Sequence, residues 1–327
     1  MAKNKTKAVE NMEAVETEIA AFPKEEATIK EAIKNRYDIY VLFDVEYGNP
    51  NGDPDAGNMP RLDPETNKGL VTDVCIKRKI RNYVELIKGG AEGYAIYVTE
   101  GAVLNEQHKV AYVKNGYKSI AKPKEKKKID ELGIAMCDHF YDIRTFGAMM
   151  NTDVNCGQVR GPVQMGFAQS IDPISPMNIG ITRVCTTKQE DADDGKRTGM
   201  GSKWVVPYGL YGMRISVSAS LAYKTGFGEE DLKLFFDALR NMFEYDKSAA
   251  RPQMSTRKLI AFKHSSGLGN VPAHDLFDLI SVKRKDGLEY TRSFDDYEVI
   301  INEDAVPKTV EVLDILKREL EEDIEQA

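Results

Sequence analysis

Residues 37–48 read YDIYVLFDVEYG, and residues 49–61 continue NPNGDPDAGNMPR. In the first run Tyr37, Ile39, Val41, Phe43, Val45 and Tyr47 fall on one side of a two-residue alternation. Asp38, Asp44 and Glu46 fall on the other. That period predicts a strand over 37–47 with its odd positions facing a core. The run that follows is almost entirely turn formers and short polar side chains, so it reads as a loop. Such a loop could bind a cation, carry catalytic carboxylates, or let a polymer backbone approach closely.

Beyond the loop the pattern changes period. Ile76, Ile80, Tyr83 and Ile87 recur at helical spacing, predicting a helix over 73–88 with Thr72 as its N-cap. Lys77, Arg81 and Lys88 form a second stripe, with Arg78 beside it. On an isolated helix such a stripe is most often a solvated face. A short strand is expected at 94–99, an amphipathic segment at 129–141, and a strand interrupted by Gly-Pro at 158–170. Segments 178–187 and 203–208 can pair as a hairpin, and their polar, Gly-rich connector 188–202 suits a mobile tip. Alternation over 211–223 predicts a long strand. Leu232, Phe235, Phe236, Leu239, Met242 and Phe243 predict a helix over 229–243. Strands are expected at 259–263 and 296–302, and an acidic amphipathic helix at 310–324. The order is α+β, and fits a ferredoxin-like or RNA-recognition-type βαββαβ core with insertions.

The chain has 327 residues, 42% hydrophobic and 30% charged, an ordinary globular composition. No apolar run approaches membrane-spanning length, and MAKNKTKAVE has no signal-peptide core, so a cytoplasmic chain is expected. Cys75, Cys137, Cys156 and Cys185 form no CxxC, which argues for reduced thiols and against a zinc site. The net charge of -7 is local. Residues 303–327 hold nine acids against three bases, leaving the remainder close to neutral, with basic clusters at 77–81 and 122–128. Local charge matters more than the sum for polyanion binding.

These residues narrow the uses of the loop. Asn49, Asn51, Asp53 and Asp55 alternate like calcium ligands, but Pro54 stands where the sharp turn needs glycine, and no glutamate closes the set. GKRTGMGSK at 195–203 is not a phosphate-binding P-loop. His108, His139, His264 and His274 show no metal-ligand spacing. Asp53 and Asp55 could act as acid and base, although an Asp that caps a turn is commoner. Close backbone approach fits best: glycine and asparagine permit it, and Lys77, Arg78 and Arg81 supply a phosphate track. No aromatic RNP box is present, so binding by stacking on sheet aromatics is not expected.

Five segments in order carry a resemblance: YDIYVLFDVEYGNPNGDPDAGNMPR at 37–61, FYDIRTFGAMM at 140–150, VRGPVQMGFAQSIDPISPMNIGITR at 159–183, VVPYGLYG at 205–212 and FKHSSGLGNVPAHDLFDLI at 262–280. Together they resemble the backbone subunit of the subtype I-C CRISPR Cascade complex, over about residues 37–301. The resemblance implies an RNA-recognition-motif-like palm over 37–90 and 209–302. It implies a helical finger insertion plus a palm strand over 91–174, and a β-hairpin thumb over 175–208. Residues 1–36 are then an N-terminal extension, read as a mobile or loosely packed helix, and 303–327 the acidic C-terminal helix.

The implied partners are a CRISPR guide RNA, copies of the chain stacked head-to-tail, other Cascade subunits, and target DNA paired through the guide. Base pairing, rather than the protein, then reads sequence. No catalytic residue, metal or cofactor is implied. Asn49, Asn51 and Asp53 are expected to contact ribose or shape the loop, and Lys77, Arg78 and Arg81 to meet phosphates. Arg144, Gln164 and Arg183 are further expected RNA contacts, with structural roles as the alternative. Met200 and Trp204 are expected apolar wedges against unstacked bases. Two other readings stay open: a target-RNA-cleaving subunit of the type III kind, in which Asp53 and Asp55 matter, and a protein-only hub.

Overall fold

The computed structural model describes residues 31–117, 125–195 and 198–317. Most of the expected N-terminal extension, part of the 122–128 cluster, two positions of the 188–202 connector and the tail beyond 317 lie outside the described residues. The chain divides into two compact units. Of the described residues, the larger holds 34–86, 163–218 and 233–317, and the smaller holds 31–33, 87–162 and 219–232.

In chain order the first elements are β1 (Tyr37–Gly48), the two-residue strands β2 (Gly52–Asp53) and β3 (Met59–Pro60), β4 (Lys68–Val71) and α1 (Asp73–Lys88). Then come α2 (Leu104–Lys114), α3 (Lys126–His139), α4 (Tyr141–Phe146), β5 (Gly147–Asn151), β6 (Asn155–Arg160), β7 (Val163–Met165) and β8 (Ala168–Pro173). They are followed by β9 (Met177–Arg183), α5 (Gln189–Asp193), β10 (Gly199–Val217), α6 (Ala219–Thr225) and α7 (Glu229–Tyr245). The last are β11 (Gln253–His264), α8 (Ala273–Phe277), β12 (Ile280–Arg284), β13 (Tyr297–Ile301) and β14 (Val310–Asp314).

The larger unit is built on an antiparallel sheet in the order β14-β11-β1-β10-β8-β4, with β7 and β9 also paired to β10. The odd positions of β1 are core as far as Val45, as the alternation predicts: Ile39, Val41, Phe43 and Val45 are fully buried, whereas Tyr47, also expected to face inward, is exposed. Phe43 stacks on Tyr211 with centroids 5.4 Å apart and meets Phe243 of α7 at 5.1 Å, and Tyr37 meets Phe236 edge-on. The even face is also covered, a correction to its reading as the polar side. Tyr40 packs on Phe277 of α8, and Leu42 clusters with Tyr208, Leu210 and Tyr297. Only Glu46 and Tyr47 of this strand are exposed.

Two aspartates are therefore buried and must be paired. Asp38 accepts hydrogen bonds from Ser216 Oγ (2.6 Å) and His264 Nε2 (2.9 Å), with Arg36 Nη2 at 3.0 Å. The Asn270 N–H donates to His264 Nδ1, which fixes the tautomer that carries its proton on Nε2. Asp44 accepts from Arg257 Nε (2.8 Å) and Tyr208 Oη (3.1 Å). Burial still pushes the Asp44 carboxyl above its ordinary range, against the pull of Arg257 and Tyr208.

The smaller unit pairs β5 with β6 and packs Tyr97, Leu132, Met136, Phe140, Ile143, Met150 and Cys156 into one core. Gly161 has no room for a side chain: a Cβ there would lie 2.3 Å from the Phe146 carbonyl carbon. Arg144 is fully enclosed. Its Nε and Nη2 grip both oxygens of Asp231 at 2.9 and 2.8 Å, Nη1 donates to the Cys137 carbonyl, and Nη2 also reaches the Gly93 carbonyl. Its expected role as an RNA contact is corrected: the donors that would meet a phosphate are spent on Asp231 and two carbonyls. Its partner is also neither Asp142 nor Asp138, the two nearby acids. Asp142 instead accepts from the Tyr97 and Val98 N–H groups, and that replaces the strand expected at 94–99.

Other expectations also shift. The strand expected over 211–223 stops at Val217; Ala219, Ala222 and Thr225 are buried at helical spacing in α6. The expected strand 158–170 is three strands, broken at Gly161-Pro162 and again after Met165. Of these, β7 and β8 join the larger unit's sheet. The helix expected over 310–324 begins as strand β14, because Val310–Asp314 pairs along β11 from His264 to Ile260. Ile87 is half-exposed rather than core.

Removing one partner of a buried ion pair costs about 3–5 kcal/mol. Arg144→Ala should therefore lower the thermal midpoint strongly in the absence of any RNA, and calorimetry of the free chain checks this. A second prediction concerns acid. Burial, with a smaller push from Lys114, holds His139 down to about 4, and burial also lowers His108. Unfolding raises both toward about 6.5, so the unfolded chain takes up the protons first. The stability these groups contribute is complete above about pH 6.5 and is lost as pH falls toward 4. His139→Phe should flatten the fall in thermal midpoint over that window.

Candidate nucleic-acid interface

The loop after β1 folds as a small, strapped hairpin. Gly52 pairs with Pro60 and Asp53 with Met59. Asp53 caps the single 3-10 turn Pro54–Ala56 by accepting the Asp55 N–H at 3.1 Å, and its other oxygen lies 3.3 Å from Arg61 Nη1. Asn51 Oδ1 accepts from both the N–H and the hydroxyl of Thr72, each at 3.0 Å. Thr72 Oγ in turn accepts the Cys75 N–H, so the expected N-cap of α1 is present and is tied to the loop. Asn49 is buried at 4% exposure; its Nδ2 donates to the Asn58 carbonyl and its Oδ1 has no hydrogen-bond partner. Asn51 and Asp53 thus have loop-shaping roles, one of the two roles expected for them.

The same hairpin is anchored from two other directions. The Asn49 N–H donates to the Ala250 carbonyl at 2.8 Å, and Lys203 Nζ at the root of the β9–β10 arm donates to the Ala249 carbonyl. Arg251, next in the chain, pairs with Asp246, which Lys79 also holds. The loop, the turn at 246–252 and the base of the arm therefore meet within one unit.

The expected cationic stripe on α1 is only partly a surface. Lys77 pairs with Asp73 at 2.8 Å, Arg78 is exposed, and Arg81 is buried. Arg81 is a correction as a phosphate contact: at 9% exposure, its guanidinium is not offered to solvent as a solvated stripe requires. Gln164 is exposed on β7, opposite Ser216. Arg183, at the end of β9, folds onto the following turn, donating to the Cys185 carbonyl and Thr187 Oγ.

Met200 stands opposite Thr182 and Trp204 opposite Asn178, which puts the two expected wedges on the same face of the arm. Met200 is 90% exposed and Trp204 half-buried. The opposite face carries Met177, Ile179 and Ile181, all exposed, a stripe legible in the alternation of MNIGITR but not singled out from sequence. Sequence reading also missed Arg61, which pairs with Asp53 of the loop, and Lys203 and Arg251, which bind within the turn that anchors it. Among the described residues no group of three or more His, Cys, Asp or Glu is placed to hold a metal, and no helix is long and apolar enough to cross a membrane.

Comparison with known proteins places the chain. The "CRISPR-associated protein Cas7" of Haloferax volcanii is 28% identical over 123 residues, 37% of this chain and 34% of that protein. The chain therefore aligns with about a third of that relative's length. Among solved structures, a "CRISPR RNA-guided surveillance complex, pre-nicking" has a TM-score of 0.45 at 16% identity, covering 69% of this chain and 78% of that one. A "CRISPR RNA-guided surveillance complex" scores 0.44 at 16% identity, covering 78% of each. A type III-B Cmr-beta complex bound to cognate target RNA scores 0.37 at 13% identity, covering 69% and 60%. The sequence pattern of the family described as CRISPR-associated protein Cas7 matches residues 35–302, and the chain belongs to that family.

Proposed function

We propose that this chain is a guide-RNA-binding backbone subunit of a CRISPR surveillance complex of the I-C Cascade kind. In this reading it stacks head-to-tail along the RNA in the cytoplasm and presents the guide for pairing with target DNA. The observation that carries the reading is membership of the Cas7 family over residues 35–302. The sheet order supports an RNA-recognition-type palm. Strands β11-β1-β10-β8 are the fourth, first, third and second of a βαββαβ unit whose helices are α1 and α7. The β9–β10 arm is then the thumb, and the unit holding 87–162 the fingers.

The covered even face of β1 supports a contact that runs along loop and arm rather than over the sheet. Lys77, Arg78, Gln164 and Arg183 remain the proposed backbone contacts, with Met200 and Trp204 the wedges. Asp53 is proposed to be non-catalytic, because its carboxylate is committed to a turn cap and to Arg61.

Purified chain should carry nucleic acid, read as a raised 260/280 nm absorbance ratio. A protein-only hub would carry none. The Lys77→Ala, Arg78→Ala double variant should bind RNA more weakly, and the slope of log affinity against log salt should fall by about 1–2. An unchanged slope would remove these two residues from the interface. Incubating the RNA-loaded chain with complementary RNA and magnesium should give no regularly spaced fragments. Regular fragments lost in Asp53→Ala would establish the cleaving reading instead.

A further inference from the structure

Tyr47 has a backbone that few residues other than glycine and asparagine adopt, with φ of +44°. The geometry around it explains the twist. The register runs from Glu46↔Tyr208 to Gly48↔Val206, which leaves Pro207, with no N–H to give, opposite Tyr47. Gly48 then tucks in so closely that a Cβ would lie 2.9 Å from Val45, and the Asn49 N–H reaches the Ala250 carbonyl. The left-handed residue is what turns the end of β1 into the loop. Folding explains a left-handed residue there, but not an aromatic one. The Tyr47 side chain is 52% exposed, its hydroxyl has no hydrogen-bond partner among the described residues, and its ring pairs with no other aromatic. Of the other exposed tyrosines, Tyr245 packs on Tyr83 and Tyr290 lies under Arg292 and donates to Glu289, while Tyr223, on α6 in the smaller unit, shares the lack of a partner among the described residues.

We propose that Tyr47 is a stacking platform for a nucleobase of the bound RNA, an assignment that rests on the guide-RNA-binding reading above. Three observations favour it. The ring is presented from the end of a strand hydrogen-bonded on both sides, so it is pre-placed rather than carried on a loose loop. It immediately precedes the asparagine- and glycine-rich hairpin at 49–61. The turn that clamps Asn49, two residues on, also brings in Lys203, whose ammonium spends one of its three donors on the Ala249 carbonyl and suits a phosphodiester backbone rather than an apolar protein partner. A base has a π-face whatever its identity, so such a platform grips RNA without reading sequence, as a guide-coating protein requires.

The test uses the full chain and RNA oligonucleotides carrying 2-aminopurine at successive positions, with Tyr47→Phe, Tyr47→Ala and Tyr47→Gly. The parent and the Phe variant should quench 2-aminopurine at particular positions. The Ala and Gly variants should lose that quenching and bind RNA about tenfold more weakly, the scale of one lost base–aromatic stack. The Gly variant guards against misfolding: glycine suits the left-handed backbone, so its thermal midpoint should equal or exceed the parent's while its RNA binding falls. If the parent binds RNA and both Ala and Gly variants keep its affinity and quenching, the platform assignment is wrong and the functional reading stands. If the parent binds no RNA, the functional reading itself fails and takes the platform with it. Loss of self-association with quenching intact would make Tyr47 a contact between copies and overturn the assignment.

Discussion

The larger unit depends on a single strand that is buried on both faces for most of its length yet encloses two carboxylates. An unpaired aspartate in such a place would cost several kcal/mol of desolvation, enough to cancel much of a domain's net stability. The solution is to draw the partners of Asp38 and Asp44 from both neighbouring strands. β10 supplies Ser216 and Tyr208, and β11 supplies His264 and Arg257. Because side chains alternate along a strand, a one-residue slip of either neighbour would carry its partner side chains to the opposite face and leave these carboxylates unpaired. The buried acids therefore specify register as well as consuming solvation energy.

Covering both faces has a consequence for binding. A sheet with one open face can stack bases on its own aromatics. Here α8 and the β12–β13 hairpin take the face that would do so, and Tyr40 and Leu42 belong to protein cores. The surface of the larger unit includes the strand end, the strapped hairpin after it and the β9–β10 arm. The proposed RNA track follows those features. Its polar residues are arranged for rigidity first: Asn51 ties the hairpin to the start of α1, and Asp53 holds its turn.

Basic residues that look alike in sequence have separate fates for the same electrostatic reason. Arg144 suits burial because a planar guanidinium can satisfy a carboxylate with two parallel bonds and still reach two carbonyls. Lys79 is drawn in by Asp246, while Arg78, one position away, points to solvent. A cation that an acid from elsewhere in the fold has drawn inward, as Asp231 does Arg144 and Asp246 does Lys79, is lost to a polyanion.

The sequence by itself determined the elements whose signal is local. The alternation of 37–48, the period of 73–88 behind its Thr72 cap, the apolar stripe of α7 and the paired arm all follow from periodicities a short window contains, and the Cas7 motifs were readable in order. Only the tertiary structure decided matters that depend on distant partners. It made 219–225 a helix through burial of Ala219, Ala222 and Thr225. It made Val310–Asp314 a strand because the edge of β11 offers hydrogen bonds. It replaced a strand at 94–99 with bonds to Asp142, and enclosed Arg144 against Asp231, 87 positions later. The left-handed turn at Tyr47 belongs to the same class: nothing within YDIYVLFDVEYG signals it, because it is set by Pro207 in β10 and by the Ala250 carbonyl in a turn, both far along the chain.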